Sequence, residues 1–186
     1  MKNKKIVLLD RDGVINHDSG NYIKSPDEWI PIPGSLEAIA KLNHAGYKVI
    51  VLTNQSGISR NYFTVDTLSK MHEKFYQLLE NVGGHIEALF FCPHLPEDQC
   101  DCRKPKPGLF DELVKRMNLP NLKNIPYVGD SYKDIEVARK VNATPILVKT
   151  GKGERTISQH SNDLAKVGIY NNLADFVNDY LRLREN

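Results

Sequence analysis

The sequence has only three cysteines, one tryptophan, no long apolar run and almost no excess of charge of either sign. A net charge of +2 over 186 residues argues against the strongly basic surface that nucleic-acid-binding proteins use. No apolar run reaches membrane-spanning length, and the apolar part of the opening MKNKKIVLLD is too short for a secretory signal. We therefore expect a cytoplasmic protein that binds neither nucleic acid nor a membrane.

The composition is that of a single globular unit. An apolar content of 40% in 186 residues is enough for one domain with a buried core. The sequence contains no internal repeat and no low-complexity segment. We therefore expect one domain over residues 1–186, and a monomer.

Five short apolar runs have the character of buried strands. Each run is nearly continuous rather than alternating and ends in polar residues or glycine, as is typical of parallel strands covered on both faces. The runs are KKIVLLD (4–10), YKVIVLTN (47–54), ALFFC (88–92), IPYVGD (125–130) and TPILVKTG (144–151).

Between and after these runs, apolar residues recur at helical spacing. The predicted helices cover residues 34–46, 64–82, 107–118, 131–142 and 172–184. Gly46 should follow the end of the first helix, where a left-handed backbone is needed. The alternation of strands and helices predicts a three-layer, Rossmann-like α/β fold with a mostly parallel sheet. No insertion is large enough to form a separate cap domain.

Ligands of such folds bind outside the carboxyl ends of the strands. The polar residues that follow the predicted strands should therefore converge there: Asp10 and Asp12, Thr53 and Asn54, the 92–104 loop, and Asp130. The connection formed by residues 13–33 has no clear periodicity. Loops of this length are usually functional or disordered, and its position beside the strand ends favours function.

All three cysteines lie in one loop, CPHLPEDQCDC, residues 92–102. Cys92, His94, Cys100 and Cys102 supply three thiolates and one imidazole, the ligand set of a structural zinc site with no position left for water. An odd number of thiols in a reducing compartment makes disulfides a poorer interpretation. We therefore predict one zinc-bound loop outside the core.

The two residues after the last cysteine are Arg103 and Lys104. A zinc-bound loop would anchor both cations at the rim of a pocket where an anion binds. The alternative is a solvated basic pair, which is the usual fate of such residues.

The sequence Asp10-Arg11-Asp12-Gly13 leaves the first predicted strand. Two acids two residues apart can face one site where the chain bends, and Gly13 permits a sharp bend. One carboxylate can attack a phosphorus atom while the other moves protons. A pair of turn-forming aspartates is the alternative, so this pattern alone is not specific.

Four segments in order, IVLLDRDGVIN, VIVLTNQSG, RKPKPG and YVGDSYKD, resemble the motifs of the haloacid dehalogenase-like phosphatases, and the resemblance covers nearly the whole chain. The pattern CPH…CDCRKP resembles the zinc-containing branch. That branch includes phosphatases of D-glycero-D-manno-heptose 1,7-bisphosphate and of histidinol phosphate.

The resemblance implies covalent catalysis by two aspartates with one magnesium ion. It makes Asp10 the nucleophile that forms an aspartyl-phosphate, and Asp12 the group that protonates the leaving alcohol and then activates water. It places Mg²⁺ on the Asp10 carboxylate, the Asp12 main-chain carbonyl and Asp130, and oxygen ligands suit that ion. An anionic nucleophile that attacks an anionic ester requires positive charge nearby.

The same resemblance assigns residues that bind the phosphoryl group. Thr53 and the amide of Asn54 would bind its oxygens, and Lys104 would offset their charge. Arg103 would grip the distal part of the substrate. Asp134 would brace either the metal or Lys104.

The substrate is a small phosphorylated sugar by this resemblance. The stretches TNQSGISRNYFT (53–64) and LVKTGKG (147–153) favour the heptose enzymes, whose reaction serves heptose precursors of lipopolysaccharide or related glycans. Substrate-contacting residues would be Asp18, Ser19, Asn21 and Tyr22, with Gln55 and Ser56 extending the phosphate loop. One departure is Ser131, where the heptose enzymes have lysine.

Three other functions stay open from the sequence. The five-residue gap in the cysteine loop resembles histidinol-phosphate phosphatases of histidine biosynthesis. A non-catalytic, zinc-stabilised binding protein would be expected to lack a nucleophile or a metal-binding acid, and both are present. A phosphatase acting on nucleic-acid ends should have a basic, aromatic-rich groove, which the near-neutral charge disfavours.

Overall fold

The computed structural model describes residues 5–184, so residue 4 of the first predicted strand and both ends of the predicted domain lie outside it. The six strands are β1 (Ile6–Leu9), β2 (Lys48–Asn54), β3 (Ala88–Cys92), β4 (Pro126–Gly129), β5 (Thr144–Val148) and β6 (Gly168–Tyr170). The α-helices are α1 (Ser35–His44), α2 (Val65–Asn81), α3 (Gly108–Arg116), α4 (Tyr132–Lys140), α5 (Gly153–His160) and α6 (Leu173–Arg182). Short 3₁₀ turns cover Pro96–Asp98 and Ser161–Asp163.

The six strands form one sheet in the order β3-β2-β1-β4-β5-β6, and every neighbouring pair is parallel. β1 lies inside the sheet, with β2 and then β3 on one side of it. The chain then crosses back, and β4 pairs with the other side of β1. This crossing creates a crevice at the carboxyl ends of β1 and β4, where ligands of open α/β sheets bind. The predicted Rossmann-like fold is confirmed.

Both faces of the sheet are covered, which explains why the strands are continuously apolar. In β1, Val7 and Leu9 pack into one apolar cluster with α1, α2 and α6. Ile6 and Leu8 point the other way, into a second cluster with α3 and α4. Successive side chains of a strand alternate between faces, so a strand between two helical layers needs apolar residues at every position.

Two elements, α5 and β6, were not predicted. The sequence of α5, GERTISQH, carries a single large apolar residue, and β6 is three residues long. Ile157 packs on a third, smaller cluster that contains Ile135, Leu147 and Leu164. The contacts that stabilise α5 come from distant parts of the chain, so no local period announces it. Gly46 has φ of 82° just after α1, as predicted.

The long connection of residues 13–33 contains neither helix nor strand and is held by isolated bridges, Asp12 to Asn16 and Asn16 to Pro31. Trp29 anchors this connection because its side chain is fully buried and its ring lies 5.2 Å from that of Phe75 in α2. The anchored ends leave the residues between them free to line a cavity. Within residues 5–184, no helix combines the length and apolar character needed to cross a bilayer.

Candidate active site

The polar residues that follow three adjacent strands meet at one edge of the sheet. Asp10 follows β1, Thr53 and Asn54 end β2, and Asp130 follows β4. The parallel register pairs Leu9 with Val51 and with Val128, so these strands end at nearly the same level. Together the strand ends form the floor of a cavity of about 470 Å³.

Lys104 is buried against the first aspartate. Its Nζ lies 2.9 Å from Oδ2 of Asp10 and 2.8 Å from Oδ1 of Asp134, and the residue is only 3% exposed. It also donates to the carbonyl oxygen of Leu52 at 3.0 Å and to the hydroxyl oxygen of Tyr127 at 2.7 Å. The solvated basic pair considered from the sequence is therefore wrong for Lys104.

Asp134 contacts Lys104 directly, which favours the second of the two roles predicted for it. One of its oxygens accepts from Lys104 and from the Tyr127 hydroxyl at 2.9 Å. The other accepts from the amide and the hydroxyl of Ser131, at 3.1 and 2.6 Å. Burial raises the pKa of Asp134, but Lys104 and these hydrogen bonds outweigh it, so the pKa lies below its usual value. The carboxylate is a fixed anion beneath the lysine.

The groups around Asp10 shift its pKa in opposite directions. Burial raises its pKa, the charge of Lys104 lowers it, and the nearby carboxylate of Asp134 raises it again, with a result of about 6. The carboxylate is therefore mostly ionised at neutral pH. Its Oδ1 accepts the amide of Arg11 at 2.7 Å, which orients the side chain. An ionised, oriented and partly desolvated carboxylate has the properties of a nucleophile.

Asp130 is enclosed by backbone. Its Oδ2 accepts the amide of Lys152 at 2.8 Å, and its main-chain oxygen accepts the hydroxyl of Thr156 at 3.0 Å. A Cβ added at Gly13 or at Gly151 would lie 2.1 or 2.2 Å from Oδ2 of Asp130. Both positions have positive φ as well, so glycine is required there for two reasons.

The donor set fits a divalent cation. Carboxylate oxygens of Asp10, Asp130 and Asp134 lie within 4.8 Å of one another. Burial raises the pKa of Asp130 to about 8, with further contributions from Asp134 and Asp10. When ionised, these three carboxylates carry more negative charge than the single positive charge of Lys104 neutralises. Asp134 accepts four hydrogen bonds, whereas each oxygen of Asp10 has one partner and Asp130 accepts one hydrogen bond at Oδ2. Asp10 and Asp130 therefore keep more lone pairs available to a hard ion such as Mg²⁺.

The Asp12 carboxylate accepts hydrogen bonds from three neighbouring side chains. Arg11 donates to both of its oxygens, at 2.8 and 3.0 Å from Nη2, and Nε donates to Oδ1 at 3.1 Å. Asn16 donates to Oδ1 at 2.9 Å and Gln55 to Oδ2 at 2.8 Å. Burial raises the pKa of Asp12, but the charge of Arg11 and these hydrogen bonds lower it below the usual value.

The cavity brings together most of the residues predicted to contact the substrate. Its walls include Asp18, Ser19, Tyr22, Thr53, Asn54, Gln55, Ser56 and Arg103. Asn21 is exposed and is not among the lining residues. The side chains of Asn54 and Gln55 are already engaged: Asn54 pairs with the backbone of Lys104, and Gln55 donates to Asp12.

Several cavity residues were not identified from the sequence. Lys133, Lys152 and Arg155 join Arg103 in the cavity wall, so four cations other than Lys104 line it. Lys152 is paired with Asp18, with 2.7 Å between Nζ and Oδ2. The only available signal was that Lys133 and Lys152 lie in the motif-like segments YVGDSYKD and LVKTGKG, whereas Arg155 belongs to the unpredicted α5.

The four predicted zinc ligands do converge. The sulfur–sulfur distances are 3.1, 3.6 and 3.7 Å, and Nδ1 of His94 lies 3.6 and 3.3 Å from the sulfurs of Cys92 and Cys102. Ligands about 2.3 Å from a tetrahedral zinc would be separated by about 3.8 Å, so the set fits that ion. All three cysteines are free thiols.

The prediction that this loop lies outside the core is wrong for Cys92. Cys92 ends β3, is fully buried and belongs to the apolar cluster beneath α3. The loop is therefore attached to the core at one end. At its other end Arg103 donates to the main-chain oxygen of His94 at 3.0 Å, so the thiol loop holds Arg103 at the cavity rim.

Comparison with known proteins gives a consistent result. A family model described as polynucleotide kinase 3 phosphatase matches residues 5–170. A D-glycero-beta-D-manno-heptose-1,7-bisphosphate 7-phosphatase from Neisseria meningitidis is 47% identical over 173 residues, 92% of each chain. One from Pseudomonas aeruginosa is 51% identical over 156 residues, 84% of this chain and 87% of that protein.

Solved structures of heptose bisphosphate phosphatases are similar to this chain as well. The D,D-heptose 1,7-bisphosphate phosphatase from B. bronchiseptica, complexed with magnesium and phosphate, superimposes with a TM-score of 0.91 at 41% identity. The match covers 96% of this chain and 99% of that one. The corresponding enzyme from Burkholderia thailandensis is 40% identical with a TM-score of 0.73, and the coverage is the same.

Proposed function

Since the chain belongs to the heptose 1,7-bisphosphate 7-phosphatase family of haloacid dehalogenase-like phosphatases, we propose that it removes the 7-phosphate of D-glycero-D-manno-heptose 1,7-bisphosphate. Members of this family are phosphomonoester hydrolases. The observation that carries the proposal is the contact of 2.9 Å between the ionised Asp10 and the buried Lys104, on the floor of a cavity lined by further cations.

In the first half of the reaction, a carboxylate oxygen of Asp10 attacks the phosphorus atom. The bond from phosphorus to the C7 oxygen of the sugar breaks, and Asp12 transfers its proton to that oxygen. The enzyme then carries an aspartyl-phosphate on Asp10. Lys104 offsets the negative charge of the phosphoryl oxygens, and its four acceptors keep its Nζ in place.

In the second half, Asp12 accepts a proton from a water molecule whose oxygen attacks the same phosphorus atom. The bond from phosphorus to Asp10 breaks, orthophosphate leaves, and Asp12 is again protonated for the next turnover. Burial raises the pKa of Asp12, but the charge of Arg11 and the hydrogen bonds lower it by more, which favours the ionised form that this step requires.

Asp10, Asp130 and the main-chain oxygen of Asp12 would hold Mg²⁺, which when bound supplies positive charge next to the phosphoryl group. The glycines at 13 and 151 support this assignment, because they let backbone approach Asp130 without displacing its carboxylate.

The cationic lining of the cavity favours a substrate with a second anionic group. Lys152 is already paired with Asp18, which leaves Arg103, Lys133 and Arg155 in the cavity wall to contact a second phosphate. Histidinol phosphate carries a cationic amine in place of a second phosphate, so this lining disfavours it. The product of the proposed reaction, heptose 1-phosphate, would serve synthesis of activated heptose for lipopolysaccharide or related glycans.

The test is release of phosphate, in the presence of Mg²⁺, from heptose 1,7-bisphosphate, histidinol phosphate and a 3′-phosphorylated oligonucleotide. We expect the highest kcat/KM for the heptose ester, with heptose 1-phosphate as the product. A preference for either other ester would overturn the proposed substrate.

The covalent step has its own test. Borohydride reduces an aspartyl-phosphate to homoserine, so quenching during turnover should convert residue 10, as read by mass spectrometry of the peptide. Asp10→Asn should abolish both turnover and labelling, whereas the exposed Asp27→Asn should change neither. Turnover without labelling, or labelling of another residue, would contradict Asp10 as the nucleophile.

A further inference from the structure

Arg11 is a fully buried cation for which the reaction above has no use. Its side chain is 0% exposed, and it is not among the residues that line the cavity. Burying a guanidinium costs several kcal/mol unless its donors are well paired. Its burial therefore requires hydrogen-bonding partners that offset this cost, and the side chain has two of them.

The first partner is Asp12. Nε and Nη2 of Arg11 both face the Asp12 carboxylate, with contacts of 3.1, 2.8 and 3.0 Å. Several donors from a rigid planar group restrict both the position and the rotation of a carboxylate, which a single ammonium could not do. Asn16 and Gln55 each add one donor, but neither carries charge.

The second partner is His72, on α2. Its Nε2 lies 3.3 Å from Nη1 of Arg11, on the side of the guanidinium away from Asp12. Burial lowers the pKa of His72 to about 4, and the charge of Arg11 lowers it as well. The imidazole is therefore neutral at pH 7, and an unprotonated Nε2 can accept the Nη1 hydrogen.

The geometry points to Arg11, held by His72, as a positioning residue that sets the orientation of the Asp12 carboxylate toward the leaving oxygen. This inference rests on the proposed function, in which Asp12 transfers a proton to that oxygen. Arg11 lies beneath Asp12, outside the cavity wall, so it acts on the substrate only through Asp12. The residues proposed to bind the phosphoryl group have other partners: Lys104 contacts Asp10 and Asp134, and Thr53 accepts from Gln55.

This role makes the effect of Arg11 depend on the leaving group. An alkoxide such as the C7 oxygen of a sugar is a strong base and needs a proton as the ester bond breaks. A p-nitrophenolate is a weak base and leaves without one. Misplacing Asp12 should therefore slow hydrolysis of alkyl phosphates and leave p-nitrophenyl phosphate nearly unaffected. A general loss of structure would slow both.

The experiment compares kcat and KM for heptose 1,7-bisphosphate, histidinol phosphate and p-nitrophenyl phosphate in Arg11→Lys, His72→Asn and Asp12→Asn. We expect Arg11→Lys to lower kcat on the alkyl esters by roughly 10- to 100-fold, with less than about a threefold loss on the aryl ester. His72→Asn should show the same pattern at a smaller size. KM should stay within about twofold, since Arg11 contributes to orientation rather than binding.

A double-mutant cycle separates positioning from structure. In the Asp12→Asn background, Arg11→Lys should cause no further loss on any ester. Met71→Ala is the matched control: Met71 precedes His72 in α2 and is buried in the apolar cluster, so its truncation should lower stability while the hydrogen bonds of Arg11 to Asp12 and His72 stay in place. Its ratio of alkyl to aryl rates should stay at the wild-type value.

The outcomes distinguish this inference from the proposed function. Equal losses on alkyl and aryl esters, or additive losses in the Asp12→Asn background, would overturn the role of Arg11. If Arg11→Lys does not fold, an unchanged ratio in His72→Asn would overturn it as well. Wild-type protein that hydrolyses only histidinol phosphate would overturn the proposed substrate, while the ratio measured on that alkyl ester would still decide the role of Arg11. Absence of hydrolysis of all three esters would overturn both.

Discussion

Replacement of Lys104 by methionine removes a buried cation while keeping most of its volume. Asp10 and Asp134 each lie within 3 Å of its Nζ, so the variant leaves two buried carboxylates without their counter-ion. Removal of one partner of a buried ion pair costs about 3–5 kcal/mol. We expect a loss of that size in the free energy of unfolding at pH 8 without Mg²⁺.

The loss should shrink as the pH falls. In the wild-type protein the pKa of Asp10 is about 6, and the charge of Lys104 opposes the larger effect of burial. Without Lys104 the pKa rises further above the unfolded value. A carboxyl group with a raised folded pKa stabilises the protein in its protonated form, and this stability is lost as the pH rises through the folded pKa. The deficit of Lys104→Met should therefore be smallest near pH 5 and largest near pH 8.

Urea unfolding followed by far-UV circular dichroism at pH 5, 6, 7 and 8 measures this deficit, with zinc retained and magnesium omitted. Lys133→Met is the matched control: Lys133 lines the same cavity but is exposed, so its effect should stay within about 0.5 kcal/mol. Lys104→Met combined with Asp134→Asn should recover part of the loss. A deficit below about 1 kcal/mol at pH 8, or one independent of pH, would refute the electrostatic account of this site.

Three further predictions concern Gly151 beside Asp130, the buried His72 and the thiol loop. Gly151→Ala should weaken activation by Mg²⁺ at least about tenfold, because its Cβ would lie 2.2 Å from Oδ2 of Asp130. Gly46→Ala also has a positive φ, but its Cβ would meet only the Lys5 side chain, at 3.7 Å, so it should leave activation unchanged; equal behaviour of the two variants would contradict this. His72, whose pKa is lowered to about 4, should make stability fall as the pH drops from about 6.5 to 4, measured by urea unfolding; the same slope in His72→Phe would exclude it as the cause. Cys100→Ser should lower bound zinc in elemental analysis and raise KM for the bisphosphate more than it lowers kcat; full zinc content in this variant would contradict the ligand assignment.

The positions of Asp10, Thr53 and Asp130 could be anticipated because each follows an apolar run. Parallel strands end at a common edge, so residues far apart in sequence meet once the strands are recognised. The convergence of Cys92, His94, Cys100 and Cys102 was equally predictable, since a short loop and a shared ligand chemistry limit where they can go.

Other features could not be anticipated from any local pattern. Arg155 belongs to α5, a polar helix stabilised by contacts with β5 and α4, so neither the helix nor its cation in the cavity was predicted. Asn21 was grouped with its neighbours Asp18 and Tyr22, yet the path of the backbone leaves it exposed and outside the cavity wall. Lys104 and Arg103 are adjacent in sequence, but only Lys104 is buried.

The sequence by itself determined the order of β1 to β5 and of every α-helix except α5, the edge at which the site forms and the inventory of acids and thiols. It could do so because periodicity and spacing act over short stretches of chain. Only the tertiary structure decided which charges are buried and what each one faces: Lys104 between two carboxylates, and Arg11 between Asp12 and His72. The protonation state and orientation of a buried group depend on neighbours that come from other strands and helices, and no local stretch of sequence contains that information.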